Sequence, residues 1–264
     1  MSLNGTDDRV FGRRVGVLLM QAPGEAASSL GSIASGLARA GYTVRCLQPA
    51  ASAKDGVKAA RWWDWYAGAE AALADLRREC DVVVAGGLST GAALGLLLAA
   101  NHPRDVQGTV LFAPTMWLHG WLAPWAAGLV CAALGRRTAE IIGLSPWLAH
   151  GLGVPADALS EHRSLLQAAR RVLKSISQPA FIVHSRQDRC AGLDNAGYLQ
   201  RNLRGLVDMV VLGGTHQAAS LDRQRDLIVE KAATFVETVA RRSRAAAAKP
   251  HPGAPVVVLK VQPA

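Results

Sequence analysis

The sequence predicts an α/β domain built on a largely parallel, doubly wound sheet with helices on both faces. Short apolar runs rich in β-formers alternate along the chain with longer stretches of helical periodicity. Several of those runs, such as Asp81-Val-Val-Val-Ala85, are continuously apolar, which suits a strand covered on both faces. The chain has 264 residues, 50% of them apolar and 19% charged, enough for one buried core, so a mainly disordered polypeptide is excluded.

Residues 15–20 (VGVLLM) read as the first strand, followed by Pro23-Gly24 as loop punctuation. Leu30, Ile33, Leu37 and Ala38 then recur at helical spacing up to Gly41. Residues 42–47 form the next strand, and residues 59–78 a helix with Trp62, Trp65, Ala69 and Leu73 on related faces. A buried strand at 81–85 leads to a helix of good formers at 92–100, ended near His102-Pro103, and then to a strand at 109–112. A helix around 162–175 precedes strand 180–184, helix 195–203, strand 207–212 and helix 223–239. Residues 115–160 break the alternation between two strands. They are expected to form a small apolar cap at the sheet's carboxyl edge, where open α/β sheets bind ligands. Residues 1–240 therefore form one domain with that cap inserted. Residues 241–264, with an Ala run and several prolines, are expected to be a mobile basic tail, in which residues 256–259 alone suit an edge strand.

The net charge of +9 owes five positives to Arg241, Arg242, Arg244, Lys249 and Lys260, so the body is only mildly basic. The seven Trp cluster at 62–65 and 117–147 and do not interleave with Arg and Lys as a base-stacking platform requires, which argues against nucleic acid as a partner. Cys46, Cys80, Cys131 and Cys190 are widely spaced with no CxxC pair, indicating neither a zinc site nor a disulfide framework. The charged start MSLNGTDDRVFGRR lacks the apolar core of a signal peptide, and a cytoplasmic protein is expected. Residues 116–135 lack Asp, Glu, Lys and Arg over the length of a membrane span. Strands on either side must rejoin one sheet, however, which a single crossing forbids. An apolar cap lining a ligand pocket is the reading adopted, with peripheral contact to a lipid surface through the cap, Arg136, Arg137 and the basic tail as a further expectation.

The chemistry is carried by Gly87-Leu88-Ser89-Thr90-Gly91, where strand 81–85 meets the helix from Ala92. This is the pattern of a nucleophile elbow, a tight strand-to-helix turn that exposes a serine hydroxyl and needs small residues two before and two after it. A serine needs a histidine base and a carboxylate that fixes the ring's tautomer. Asp188 follows strand 180–184 and His216 follows strand 207–212, so three strand ends converge on one edge. The competing groups have plainer readings. Asp194 and Asp222 mark helix starts, His184 is a satisfied core histidine, and His119 and His150 sit in the cap.

On these residues the chain resembles the α/β-hydrolase superfamily, and within it the small bacterial carboxylesterases and monoacylglycerol lipases. The likeness spans roughly residues 14–240 and rests on residues 17–20, Gly41-Tyr-Thr, Trp62-Trp63, the elbow, Phe112-Ala-Pro114, Arg186-Gln-Asp188, and Gly214-Thr-His216 with Leu221-Asp222. It implies Ser89 as nucleophile, Asp188 as acid and His216 as base. The implied reaction is hydrolysis of short- to medium-chain esters or monoacylglycerols, small apolar substrates, without a cofactor. In that family a loop N–H after the first strand joins the N–H of the residue after the serine, here Thr90, in binding the oxyanion. This chain has Gln21-Ala22-Pro23 there, and proline has no N–H. Thr90 then acts alone, or Gly24 N–H or the Gln21 amide replaces the missing donor. That departure sustains the alternative of a catalytically weakened protein that binds an acyl or lipid ligand; a further alternative is a serine acyltransferase, which differs only in that another alcohol, not water, reaches the acyl-enzyme.

Overall fold

The structure, a computed structural model, describes residues 2–3, 9–10, 13–21, 28–48, 61–117, 156–188, 191–213 and 224–248. Its elements in chain order are β1 (Ser2–Leu3), β2 (Arg9–Val10), β3 (Arg13–Met20), α1 (Ser28–Arg39), β4 (Thr43–Leu47), α2 (Trp62–Glu79), β5 (Val82–Leu88) and α3 (Gly91–Asn101). There follow β6 (Gly108–Phe112), α4 (Ala156–Val172), β7 (Ala180–Ser185), α5 (Asp194–Asn202), β8 (Val207–Leu212) and α6 (Arg225–Ala248). The six strands β4-β3-β5-β6-β7-β8 lie side by side in that order, all parallel, with β1 antiparallel on the outer side of β4 and β2 antiparallel to β3.

The expected alternation is present, and the parallel sheet is covered on both faces. Strand β5 is buried along its whole length, as a strand between two helical layers must be. On one face α2, α3, α4 and α5 pack over Leu18, Val83, Leu111 and Ile182. On the other α1 and α6 cover Val17, Val84, Val110 and Val183, where Phe181 and Phe235 stack at 5.6 Å. Residues Gly91 to Ala99 of α3 are all buried, because the sheet, α2 and α4 surround that helix; an apolar stripe would be redundant, and its sequence has none. Helix α1 buries Leu30, Ile33, Ala34 and Leu37 on one side. It stops at Gly41, whose φ of 94° lets Tyr42 N–H reach Leu37 O and Gly41 N–H reach Ala38 O, a paired closure of the last turn.

The structure adds two short strands and corrects two readings. The N-terminal pairs β1 and β2 were not expected, since two-residue strands carry no periodicity. Helix α4 begins at Ala156, so the last residues of the span assigned to the cap belong to a helix packed on α2 and α3; residues 118–155 lie outside the described residues. Helix α6 runs to Ala248, so Arg241, Arg242 and Arg244 are helical and not part of a tail. Arg and Ala are strong helix formers, and no breaker appears before Pro250. Residues 249–264, including the 256–259 run, lie outside the described residues. No helix among those described is long and apolar enough to cross a membrane.

His162 of α4 is buried against Trp65 of α2 with ring centroids 5.0 Å apart, and burial pushes its pKa down from 6.5 to about 4. The folded protein therefore favours the neutral ring. This contribution is fully present above pH 6.5 and is lost as the pH falls toward 4. Urea unfolding at about pH 7.5 and pH 5 should show wild type losing about 2 kcal/mol more than His162→Leu between the two conditions. Equal acid losses in both proteins would contradict the assignment.

Candidate active site

The order β4-β3-β5 marks where the winding of the sheet reverses, and in open α/β sheets the crevice beyond the strand ends at that point is where ligands bind. Met20 pairs with Gly87, Leu88 with Phe112, and Ser185 with Leu212, so the carboxyl ends of β3, β5, β6, β7 and β8 share one edge. Ser89 is the residue after β5 at the reversal.

The elbow expected there is present. Ser89 has φ 53°, a left-handed conformation that non-glycine residues rarely adopt. Its N–H donates to Phe112 O at 2.9 Å, and its carbonyl accepts from Ala92 N–H at 3.3 Å and Thr115 N–H at 3.2 Å. The two flanking glycines have one shared cause. A Cβ on Gly87 would stand 2.1 Å from Met20 O, and one on Gly91 would stand 2.3 Å from the same oxygen. The last carbonyl of β3 is thus wedged between the two arms of the turn, and neither arm has room for a side chain.

Ser89 is 5% exposed, and its Oγ lies 3.2 Å from Thr115 Oγ1. Thr90 lies in the α region as the N-cap of α3, and its N–H donates to no acceptor among the described residues. It is one of the unpaired donors that every helix start presents, next to the serine and backed by the positive end of the helix dipole. Gln21 N–H, in contrast, is committed to Leu47 O at 3.0 Å and is not a spare donor. Pro23 and Gly24 lie outside the described residues.

Asp188 sits where expected, in the turn after β7 and 8% exposed. Its N–H donates to Ser185 O at 3.3 Å, and its Oδ1 accepts from Ala191 N–H at 3.0 Å, so the carboxylate is held on the same edge as Ser89. Two strand spacings, about 10 Å between strand axes, separate β5 from β7. His216 lies outside the described residues, three positions beyond Gly213, as do Asp222, His119 and His150.

His184 is buried with Nδ1 3.1 Å from Ser185 O; a carbonyl only accepts, so Nδ1 carries the proton. Its Nε2 has no partner among the described residues, so the ring is satisfied on one side only. Asp194 is the first residue of α5 and Leu193 its N-cap, one position from the expected arrangement. Two contributors were not anticipated. Thr115 touches the serine, and buried Asn195 accepts from Met116 N–H at 2.7 Å and Trp117 N–H at 3.2 Å, fixing the segment that carries Thr115. Nothing in Phe112-Ala-Pro-Thr115 marks that threonine, because its role depends on the path of the chain after β6.

No protein-family model matches the chain. It is 27% identical over 231 residues to a thermostable monoacylglycerol lipase of Bacillus sp. (strain H-257), covering 84% of this chain and 90% of that protein. Among solved structures, one from the metagenome-derived lipolytic enzymes LipS and LipT superposes with a TM-score of 0.68 at 22% identity, covering 90% of this chain and 97% of that one. The monoacylglycerol lipase of Paleococcus ferrophilus gives 0.65 at 13% identity, over 90% and 98%. With its parallel sheet and the tight turn at Ser89, the chain has the α/β-hydrolase fold of these structures and is homologous in sequence to a monoacylglycerol lipase.

Proposed function

We propose that the chain is a serine hydrolase of carboxylic esters, acting on small apolar acyl esters or monoacylglycerols through an acyl-enzyme. The observation that carries this reading is Ser89 at φ 53° at the sheet's reversal point, beside an uncommitted Thr90 N–H. A strained conformation at a ligand crevice is retained against its cost when the site uses it. In the proposed reaction Ser89 Oγ attacks the ester carbonyl carbon while its proton passes to His216. Thr90 N–H donates to the oxygen that gains the negative charge. The C–O bond to the alcohol then breaks, and His216 returns the proton to the leaving oxygen. Water, deprotonated by His216, then attacks the acyl carbon, the bond to Ser89 Oγ breaks as His216 returns the proton to that oxygen, and the acid leaves; Asp188 stabilises the imidazolium in both halves. The relative named a monoacylglycerol lipase supports a lipid-like ester.

A second reading has its own observation. Gln21 N–H is committed to Leu47 O and Pro23 has no N–H, so a second oxyanion donor must come from elsewhere in the loop. Loss of one donor costs about a hundredfold to a thousandfold in rate. A chain so weakened would bind acyl ligands and turn them over slowly.

p-Nitrophenyl esters of increasing acyl length, together with a monoacylglycerol, test both readings. Wild type should hydrolyse a bounded range of lengths, Ser89→Ala should be inactive, and Asp188→Asn should lower kcat by about 10⁴-fold. A folded wild type that binds these acyl groups with no turnover above Ser89→Ala would favour the binding protein. Sedimentation with anionic vesicles at low salt tests the lipid-surface contact, which absence of binding would remove.

Elbow strain makes a separate prediction. Glycine adopts φ 53° freely whereas alanine does not, so Ser89→Gly should exceed Ser89→Ala in urea stability by about 0.5–1 kcal/mol. The reverse order would show that the turn is relaxed.

A further inference from the structure

The chain leaves β6 through a second left-handed residue. Ala113 has φ 42°, and it follows Phe112, which pairs with Leu88 just before Ser89. Adjacent strands therefore end in neighbouring strained turns, and Ser89 and Ala113 are the only non-glycine residues of positive φ among those described. Ala113 N–H donates to Val183 O at 2.7 Å, so its strain is held from the β7 side. Two residues on, Thr115 is fastened to the elbow twice, by its N–H to Ser89 O at 3.2 Å and by its hydroxyl to Ser89 Oγ at 3.2 Å. Beyond it, Asn195 Oδ1 accepts from Met116 and Trp117 N–H, and Arg170 Nη1 donates to Met116 O. Thr115 is 3% exposed and sits in a segment whose backbone is pinned from α4, α5 and β5 together. Thr90, the other hydroxyl next to the serine, has no hydrogen-bond partner among the described residues.

We infer that Thr115 is a positioning residue for the nucleophile, its hydroxyl donating to a lone pair of Ser89 Oγ. The direction of that bond decides its effect. Were Ser89 the donor, its proton would point at Thr115 and away from any base. With Thr115 donating, the serine proton stays available for transfer, the side chain is held in one rotamer, and the donor bond strengthens as Oγ gains negative charge. Thr115 keeps its own proton throughout. The inference rests on the ester-hydrolase reading and adds to it a group that approaches Ser89 from the β6 side, opposite the loop after β3.

Thr115→Val keeps the shape and removes the donor; Thr115→Ser keeps the donor. On p-nitrophenyl butyrate, Thr115→Val should lose on the order of tenfold to a hundredfold in kcat with KM nearly unchanged, and Thr115→Ser should stay within about threefold of wild type. The rate of inactivation by a fluorophosphonate should fall in parallel with kcat. Where Thr115→Val does not fold, Thr115→Ala replaces it in the comparison. Equal kcat in Thr115→Val and wild type, equal losses in the Ser and Val variants, or a loss confined to KM would overturn the role while leaving an active Ser89 in place. A wild type inert to both ester and fluorophosphonate would instead overturn the hydrolase reading, and this one with it.

Discussion

The site depends on one close approach. The carbonyl of Met20, the last of β3, lies where side chains at positions 87 and 91 would have to be. Two glycines resolve that conflict, and the turn between them closes tightly enough to hold Ser89 at φ 53°. The strain is thus supported from both strands at the sheet's reversal, and the serine is presented by backbone packing and not by a flexible loop. Any side chain at either position would force β3 and the elbow apart by an ångström or more, and with them the geometry of Ser89 and of the helix that follows.

The remaining parts are arranged around that turn by the order of the parallel strands. β6 delivers Thr115 to the hydroxyl, and β7 delivers Asp188 two strand positions away, its carboxylate held by Ala191 N–H. The start of α3 delivers an uncommitted N–H at Thr90. Each group sits at a strand end or helix start and is braced by backbone hydrogen bonds, which is how a site of this kind keeps its geometry without substrate. On the side next to β3, Gln21 N–H is tied to Leu47 O of β4.

How far the sequence could be read follows from where the information is local. The alternation of apolar runs with helical periods, and the five-residue elbow between strand and helix, are local patterns, and both appear in the structure. The position of Asp188, in a turn after a strand, was legible for the same reason. The long final helix was misread at its end because an Arg-Ala run resembles a solvated tail unless one weighs its helix propensity against the absence of any breaker. Thr115 and Asn195 were invisible. Their roles come from two strained turns and a cross-connection over 79 residues, which no spacing in the sequence encodes.

The central claim is that Ser89 is a nucleophile served by groups gathered at one sheet edge. A crystal structure of the chain inactivated by a p-nitrophenyl alkylphosphonate tests it most directly. The account predicts phosphorus bonded to Ser89 Oγ, the phosphoryl oxygen accepting from Thr90 N–H, and the His216 ring between Ser89 and Asp188 within hydrogen-bond reach of both. Phosphorus on another residue, or an unmodified Ser89 with His216 directed away from it, would contradict the account.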